Sequence, residues 1–169
     1  GGGHGGDGCS QPTGQESALA SAAAVAAPPM VELASTRLHG SYGSRVDVVV
    51  RLLLELRSHA AAARDPQGCK CVVFSRHEGL LKLLSTACAM NGVSALRFGS
   101  GGHQHNEVAT FLADGAVQAL LLSAQRDASG LTLTAASHVV ICEPQPDVAV
   151  EQQMVGRVHR IGQTRQTHV

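Results

Sequence analysis

The sequence predicts an α/β fold built on a parallel sheet, and three observations lead to this prediction. Short apolar runs of strand length recur along the chain from about residue 71. These runs do not alternate between polar and apolar residues, which is typical of strands buried on both faces of a sheet. Segments with apolar residues at helical spacing separate them. Because strands and helices alternate, the strands are expected to run parallel, with helices on both faces.

The first helix is predicted to begin at Ser44, which stands three residues before Asp47 in a pattern that resembles a capping box. The apolar positions that follow repeat at helical spacing. They are Val46, Val49, Val50, Leu53, Leu54 and Leu56. Pro66 and Gly68 are expected to end the helix, because proline cannot continue it and glycine is common just after a last turn.

Four strands and three further helices are predicted beyond this helix. The strands are CVVFS (71–75), SALRF (94–98), QALLLS (118–123) and HVVIC (138–142). The helices are EGLLKLLSTACAMNG (78–92), NEVATFLADG (106–115) and a last one from about residue 147 to 159. Gly92 and Gly115 favour the ends of the first two of these helices.

Residues 1 to about 35 have a different composition, rich in Gly, Ala, Ser and Pro. Such a segment offers little apolar surface to bury, so we expect a disordered leader or linker. The folded domain is expected to cover residues 40–169, a length that can form one core. No stretch approaches the roughly 20 apolar residues of a membrane span, and an interaction with membranes is not expected.

Charge is balanced overall, with 13 basic and 13 acidic side chains, but it is unevenly distributed. No acidic residue follows Glu151, whereas Arg157, Arg160 and Arg165 do. The C-terminal end is therefore a basic edge on a neutral protein. Aromatic residues make up only 2% of the chain, which argues against the stacking surfaces of single-strand binders.

Metal binding is not expected from the cysteine and histidine pattern. The five cysteines form no C-x-x-C pair, and those at 69, 71, 88 and 142 have apolar neighbours, typical of small buried hydrophobic residues. An odd number of cysteines fits a reducing compartment better than a disulfide framework. His103 and His105 lie in a Gly-rich segment without the partners that would complete a ligand set.

Polar segments at the ends of the predicted strands indicate where a ligand would bind. In open α/β sheets, ligands bind beyond the carboxyl ends of the strands. Three segments reach that edge, namely SRHEG, SAQRDASGLTLTAAS and EPQPD. The last leads into the final helix, where Arg157 and Arg160 are expected to project from one face. Paired guanidiniums on a rigid element suit an anion such as phosphate, although a solvated arginine face would show the same spacing.

The stretch QMVGRVHRIGQTR resembles the last motif of the Swi/Snf-type helicase-like ATPases, written Q-x-x-G-R-x-x-R-x-G-Q. The matching positions are Gln153, Gly156, Arg157, Arg160, Gly162 and Gln163. GLTLTAASHVVICEP and CVVFSRHEGLLKLL resemble two earlier motifs of that family, in the family's order. The resemblance covers residues 40–169 and implies a second RecA-like lobe. The residues of these motifs are most similar to those of family members that are also ubiquitin ligases.

The resemblance implies a role for each matching side chain. Arg157 and Arg160 would be arginine fingers that reach ATP, which with Mg²⁺ would be held mainly by a first RecA-like lobe. Gln153 and Gly156 would belong to the nucleotide cleft. The family's glycine-rich motif reads RDASG here, so that Gly130 is the glycine left to approach the nucleotide.

The resemblance also implies an approach to double-stranded DNA or chromatin, and a nuclear location. Ser75, Ser123 and Thr134 fall where the second lobe of the family comes close to the DNA backbone. Contacts from hydroxyl groups to phosphate would fix the position of DNA without reading its sequence. Each of the three could equally well cap the end of a strand.

Several parts of a complete enzyme are absent from the sequence. It has no G-x-x-x-x-G-K-[ST] loop, no D-E-A-H-like box and no RING-type Cys/His spacing. We therefore expect a piece of a longer protein that stops inside its own lobe and does not hydrolyse ATP alone. The first lobe, and any RING that contacts a ubiquitin-conjugating enzyme, would lie outside these residues. A degenerate, non-catalytic lobe that binds DNA or protein is the alternative.

Overall fold

The computed structural model describes residues 1, 36–64, 68–99, 104–125 and 130–169, without the side chains of 104 and 105. The predicted leader, beyond its first residue, and the side chains of the His103/His105 pair lie outside this part. Four helices and four strands follow one another along the described chain. They are α1 (Ser44–Ala62), β1 (Cys71–Ser75), α2 (Glu78–Met90), β2 (Ala95–Arg97), α3 (Gln104–Ala113), β3 (Ala119–Ser123), β4 (His138–Ile141) and α4 (Val148–Val158).

The four strands form one parallel sheet in the order β2-β3-β1-β4. In the register of the central pair, Cys71 lies opposite Ala119 and Ser75 opposite Ser123. On its other side β1 pairs with β4, where Cys71 lies opposite His138. The predicted parallel sheet is confirmed. Its central strands β1 and β3 are buried along their whole length, which explains their unbroken apolar runs.

Helices cover both faces of the sheet, as predicted. Side chains alternate along β1, so that Val73 faces one core and Phe74 faces the other. The first core joins Val73 to buried residues of α1 and α2, among them Leu53 and Leu84. The second core joins Phe74 to Phe111 of α3 and to Met154 and Val158 of α4. The apolar face of α4 thereby fixes the direction in which the chain leaves that helix.

The beginning of α1 differs from the prediction. Gly43, with φ +92, is the N-cap residue, and Ser44 is already helical and makes no cap hydrogen bond. The predicted capping box with Ser44 as N-cap is therefore wrong. Asp47 still reaches back across the helix start, where its Oδ1 accepts a hydrogen bond of 3.1 Å from the N–H of Tyr42. Glycine takes the N-cap position because the left-handed backbone there suits a residue without a Cβ.

The end of α1 also differs from the prediction, whereas both ends of α4 agree with it. Helix α1 ends at Ala62, ahead of Pro66, and Arg64 follows with a left-handed φ of 53°. Helix α4 begins as predicted, because the Asp147 side chain accepts a hydrogen bond from the N–H of Ala149 at 2.8 Å. It ends at Val158, within one residue of the predicted end at about 159, and Arg160 lies outside the helix.

A pair of histidines lies at the amino edge of β4. His168 forms an isolated parallel bridge with His138, and their rings stack with centroids 4.7 Å apart. The Nδ1 atom of His138 lies 3.0 Å from Ser137 Oγ and 3.5 Å from Cys69 Sγ. Burial, helped by the charges of His168 and Arg165, lowers the pKa of His138 from 6.5 to about 4. The ring is therefore neutral at physiological pH.

Lys70 lies next to this pair and connects the sheet to α3. Its side chain is 6% exposed and donates to the carbonyl oxygens of Phe111 and, at 2.7 Å, Asp114. Its ammonium also lies 4.9 Å from the centre of the Phe111 ring. Burial lowers the pKa of Lys70 below its ordinary value. The last carbonyls of α3 thus gain a cationic partner, which is favourable at a helix C-terminus.

Candidate functional site

The carboxyl ends of β1, β3 and β4 meet at one edge of the sheet, as the parallel arrangement requires. At this edge Glu143 joins the ends of β1 and β4. The carboxylate is 6% exposed, and its Oε1 accepts hydrogen bonds from the Ser75 hydroxyl at 3.0 Å and from the N–H of Arg76. The Ser75 oxygen in turn accepts from the N–H of His77 at 3.0 Å. This network fixes the turn between β1 and α2.

Glu143 was not among the predicted site residues. Its other oxygen, Oε2, is buried and finds no hydrogen-bond partner among the described residues. A buried carboxylate oxygen in this state costs free energy, and the rest of the network must offset it. The sequence signal was weak, because a glutamate after an apolar strand is ordinarily expected to face solvent.

The three residues predicted to approach DNA are placed differently from one another. Ser75 and Ser123 are buried, at 0% and 2% exposure, and lie opposite each other at the ends of β1 and β3. Ser75 caps the end of its strand, which was the alternative stated for it. Thr134 is half-buried, in the turn that leads to β4. In this structure Thr134 is therefore the one of the three with a side chain accessible to a partner.

Arg157 lies in the last turn of α4 and is half-buried. Its carbonyl oxygen accepts a hydrogen bond of 2.9 Å from the N–H of Leu133, a fully buried residue. Its Nε atom is buried and has no hydrogen-bond partner within the described ranges. The backbone of Arg157 is thus anchored while part of its guanidinium has an unused donor.

Arg160 lies beyond the helix and is exposed. The backbone turns at His159, which has φ −84° and ψ 87°, so that Arg157 and Arg160 do not project from one helical face as predicted. The reason is that the C-terminal carbonyls of α4 are engaged by neighbouring groups rather than by a further turn. The Nη1 atom of Arg160 donates to Thr132 Oγ1 at 3.0 Å.

The predicted nucleotide residues lie at the surface of the same region. Gln153 and Gly156 are exposed on α4. A Cβ added at Gly156 would meet no atom within 4 Å beyond the neighbouring backbone of its own helix, so packing against the rest of the described chain does not require glycine there. Gly130 is exposed and has φ +84, a conformation that glycine adopts readily. The preceding residues 126–129 lie outside the described part.

The residues after Arg160 interlock with the loop before β4. We call residues 157–165 the arginine segment and residues 132–136 the threonine segment. Gln163 Nε2 donates to the carbonyl oxygens of Ala136 at 2.7 Å and Val158 at 3.1 Å. The Arg165 guanidinium donates to the carbonyl oxygens of Ala135 and, at 3.0 Å, Gly68. Gln163 and Arg165 thereby hold the two segments together.

The hydrogen bonds between the arginine and threonine segments could not be predicted from the sequence. Gln163 was recognised only as a motif position, and Arg165 only as a basic residue. Gly162 has φ +100 and provides the left-handed turn that brings Gln163 back towards the helix. Together with the bonds from Leu133 to Arg157 and from Arg160 to Thr132, the two segments share four separate connections.

Three cysteines of the described chain, Cys71, Cys88 and Cys142, are poorly suited to act as nucleophiles, because burial favours the protonated thiol. Burial raises the pKa of the Cys71 thiol well above its ordinary value and that of Cys88 to about 11. Burial and the nearby Glu143 charge raise the pKa of Cys142 to about 12. Over the described ranges, no three His, Cys, Asp or Glu residues cluster as metal ligands would.

No described helix is long and apolar enough to cross a membrane.

The fold and the site define a class of protein: an α/β lobe with arginines at the end of its last helix. The arginine segment lies at the amino edge of the sheet, and not at the carboxyl edge as predicted, because it contacts Gly68 and Ala135, which precede β1 and β4. Residues 45–162 match the helicase conserved C-terminal domain, and the chain belongs to that family. It is 35% identical to the human E3 ubiquitin-protein ligase SHPRH over 130 residues, 77% of this chain and 7% of SHPRH. It is 36% identical to the DNA repair protein RAD5A of Arabidopsis thaliana over 105 residues, 60% of this chain and 10% of RAD5A.

Solved structures show the same fold. The C-terminal part of the Fun30 ATPase domain matches with a TM-score of 0.65 at 22% identity, over 78% of this chain and 42% of that one. The Pyrococcus furiosus Hef helicase domain matches with a TM-score of 0.52 at 24% identity, over 70% of this chain and 23% of that one. The predicted RecA-like fold and the resemblance to Swi/Snf-type helicase-like proteins are confirmed. The chain spans a tenth or less of the length of these curated relatives.

Proposed function

We propose that this chain is the second lobe of a DNA-dependent ATPase of the Swi/Snf type, and that Arg157 and Arg160 complete an ATP site formed mainly by a first lobe. The observation that supports this most is the interlocking of the arginine and threonine segments. It fixes both arginines beside the loop before β4, within a set of hydrogen bonds that anchors the end of α4. A guanidinium held in this way stabilises charge on a phosphoryl group without having to reorganise.

The residues present fit the anionic part of a nucleotide. Arg157 has a buried Nε with no partner in the described chain, and Arg160 is exposed. ATP supplies the phosphoryl group, and the two arginines would bind its oxygens and balance their charge. The carboxylates that usually hold Mg²⁺ are not gathered in the described part of this lobe. We assign Mg²⁺ and most nucleotide contacts to the first lobe, because this sequence has no G-x-x-x-x-G-K-[ST] loop.

The proposal also includes contacts to DNA, from Thr134 before β4 and from the ends of β1 and β3 at Ser75 and Ser123. Thr134 has an accessible side chain close to the arginine segment. Both serine hydroxyl groups are buried, and Ser75 contributes instead through the backbone that it holds at His77. Backbone contacts of this kind position double-stranded DNA without reading its sequence. Gln153, Gly156 and Gly130 would line the side of the site that faces the nucleotide.

The relatives suggest the cellular setting. SHPRH is named an E3 ubiquitin-protein ligase and RAD5A a DNA repair protein. We extend these roles to the protein that contains this lobe: a nuclear protein acting on DNA or chromatin, and a RING outside these residues that contacts a ubiquitin-conjugating enzyme. A non-catalytic lobe that binds DNA or protein is the second candidate, favoured by the loss of all but Gly130 from the glycine-rich motif.

The test is the turnover of Arg160→Ala in a protein that contains both lobes. Loss of an arginine finger is expected to lower the DNA-stimulated ATPase rate by about 10³-fold or more. The affinity for DNA should change little. Arg160→Lys should recover little turnover, because an ammonium keeps the charge but loses the planar fork. Arg57→Ala is the matched control, since Arg57 also donates a hydrogen bond, to the carbonyl oxygen of Gly92 on α1's side of the sheet. Near-normal turnover of Arg160→Ala would favour the non-catalytic candidate.

A further inference from the structure

The hydrogen bond between Arg160 and Thr132 joins two exposed side chains that are 28 residues apart in sequence. An arginine beyond the end of a helix has many rotamers, and it loses that freedom when it binds a ligand. Thr132 removes part of this freedom in advance, since its Oγ1 holds Nη1 of Arg160 at 3.0 Å. Preorganised donors are the ones that contribute most to a reaction.

The position of Thr132 is itself well determined. Leu133, its neighbour, is fully buried in the second core and donates its N–H to the Arg157 carbonyl oxygen at 2.9 Å. The branched Cβ of threonine restricts χ1, so a fixed backbone also limits the direction of the hydroxyl group. The hydroxyl is therefore placed relative to the end of α4, where both arginines lie.

We propose that Thr132 is a positioning residue for Arg160, holding the guanidinium in the direction in which it reaches the transferring phosphoryl group. This inference rests on the proposed function. It also gives the threonine segment a second role, because Thr134 on the same segment is the residue proposed to face DNA.

The experiment compares Thr132→Val with Thr132→Ser in a protein that contains both lobes. Valine has the shape of threonine without the hydroxyl group, whereas serine retains the hydroxyl. Thr132→Val is expected to lower the DNA-stimulated kcat about tenfold, the order expected for a hydrogen bond to a charged group, with the KM for ATP nearly unchanged. Thr132→Ser should keep most of the turnover. Thr110→Val, at an exposed position on α3, is the matched control and should have no effect.

A double-mutant cycle separates positioning from other effects. If Thr132 acts through Arg160, then Thr132→Val should cause no further loss in the Arg160→Ala background. A further tenfold loss there would overturn the inference. So would an increase in turnover of Thr132→Val, which would mean that the contact restrains the arginine. If Arg160→Ala has a low turnover and Thr132→Val a normal one, only this inference fails. If Arg160→Ala has a normal turnover, both this inference and the proposed function fail.

A measurement on this chain alone provides a readout that does not depend on activity. Side-chain nitrogen relaxation of Arg160 should show a more mobile guanidinium in Thr132→Val than in the wild type or Thr132→Ser. Because Thr132 is exposed, these substitutions should leave the folded state intact, which the melting temperature checks. An Arg160 guanidinium equally mobile in all three proteins would overturn the inference.

Discussion

Gln163 bridges to Ala136, whose carbonyl oxygen accepts a hydrogen bond of 2.7 Å from the Gln163 side-chain amide. The same amide donates to the carbonyl oxygen of Val158, the last residue of α4, and its oxygen accepts from the N–H of Arg165 at 3.0 Å. One side chain therefore satisfies a helix C-terminus, the loop before β4 and its own turn. Helix ends leave carbonyls without partners, and here a distant residue supplies one.

We expect Gln163→Ala to lower the free energy of unfolding of this chain by about 1–3 kcal/mol, because it leaves partly buried carbonyls without donors. Chemical denaturation followed by circular dichroism measures this. Gln153→Ala, at an exposed position on α4, is the control and should change stability by less than about 0.5 kcal/mol. Equal stability of the two variants would show that the Gln163 bridge contributes little.

Glu143→Ala should also destabilise the chain, by about 1–3 kcal/mol, since the Ser75 hydroxyl and the N–H of Arg76 lose their acceptor inside the protein. Glu143→Gln keeps one acceptor oxygen and should cost less. Thermal unfolding of the wild type, Glu143→Gln and Glu143→Ala at neutral pH gives the order of their stabilities. If Glu143→Gln were as unstable as Glu143→Ala, the charge rather than the accepted hydrogen bonds would be responsible.

The fold was largely predictable because its signals are local. The residues of β1 and β3 are buried on both faces, so their apolar runs identified them directly. Helix α4 could be placed from the N-cap at Asp147. Its end was predicted at about residue 159, within one residue of the observed end at Val158. The start of α1 was misplaced, since Gly43 rather than Ser44 occupies the N-cap.

The candidate site was predictable in its residue types but not in its contacts. The motif indicated Arg157 and Arg160, yet nothing local shows that Thr132 lies against Arg160, since 28 residues separate them. Glu143 was missed because its burial depends on Ser75, 68 residues earlier. Such contacts depend on the sheet order, which places β4 next to β1. A single sequence does not encode that order in any local pattern.

Acid should destabilise the chain through His138. Its pKa is about 4 in the folded protein, below the ordinary 6.5, so the unfolded chain binds a proton that the folded chain does not. The stabilising effect of the neutral ring is complete above about pH 6.5 and is lost as the pH falls towards 4. Allowing for solvent screening, we expect a loss of about 1 kcal/mol between pH 7 and pH 5, measured by urea denaturation.

The control for this pH effect is His138→Phe, which keeps a ring against His168 and cannot be protonated. Its stability should change less between pH 7 and pH 5 than that of the wild type. His59→Gln, on the exposed side of α1, should keep the wild-type sensitivity. A His138→Phe protein that loses as much stability in acid as the wild type would assign the effect to other groups.

Gly156→Ala should affect stability and activity in opposite directions. Glycine inside a helix costs about 0.5–1 kcal/mol relative to alanine, and a Cβ at this position would meet no atom within 4 Å beyond the neighbouring backbone of its own helix. The isolated chain should therefore become more stable, with a higher melting temperature.

In a protein with both lobes, the proposed function requires close approach at this surface of α4, so the added methyl group should lower ATP turnover. Gly115→Ala, an exposed site with similar open space at the end of α3, is the control and should leave turnover unchanged. Higher stability with unchanged turnover of Gly156→Ala would mean that neither nucleotide nor the first lobe approaches this face of the helix.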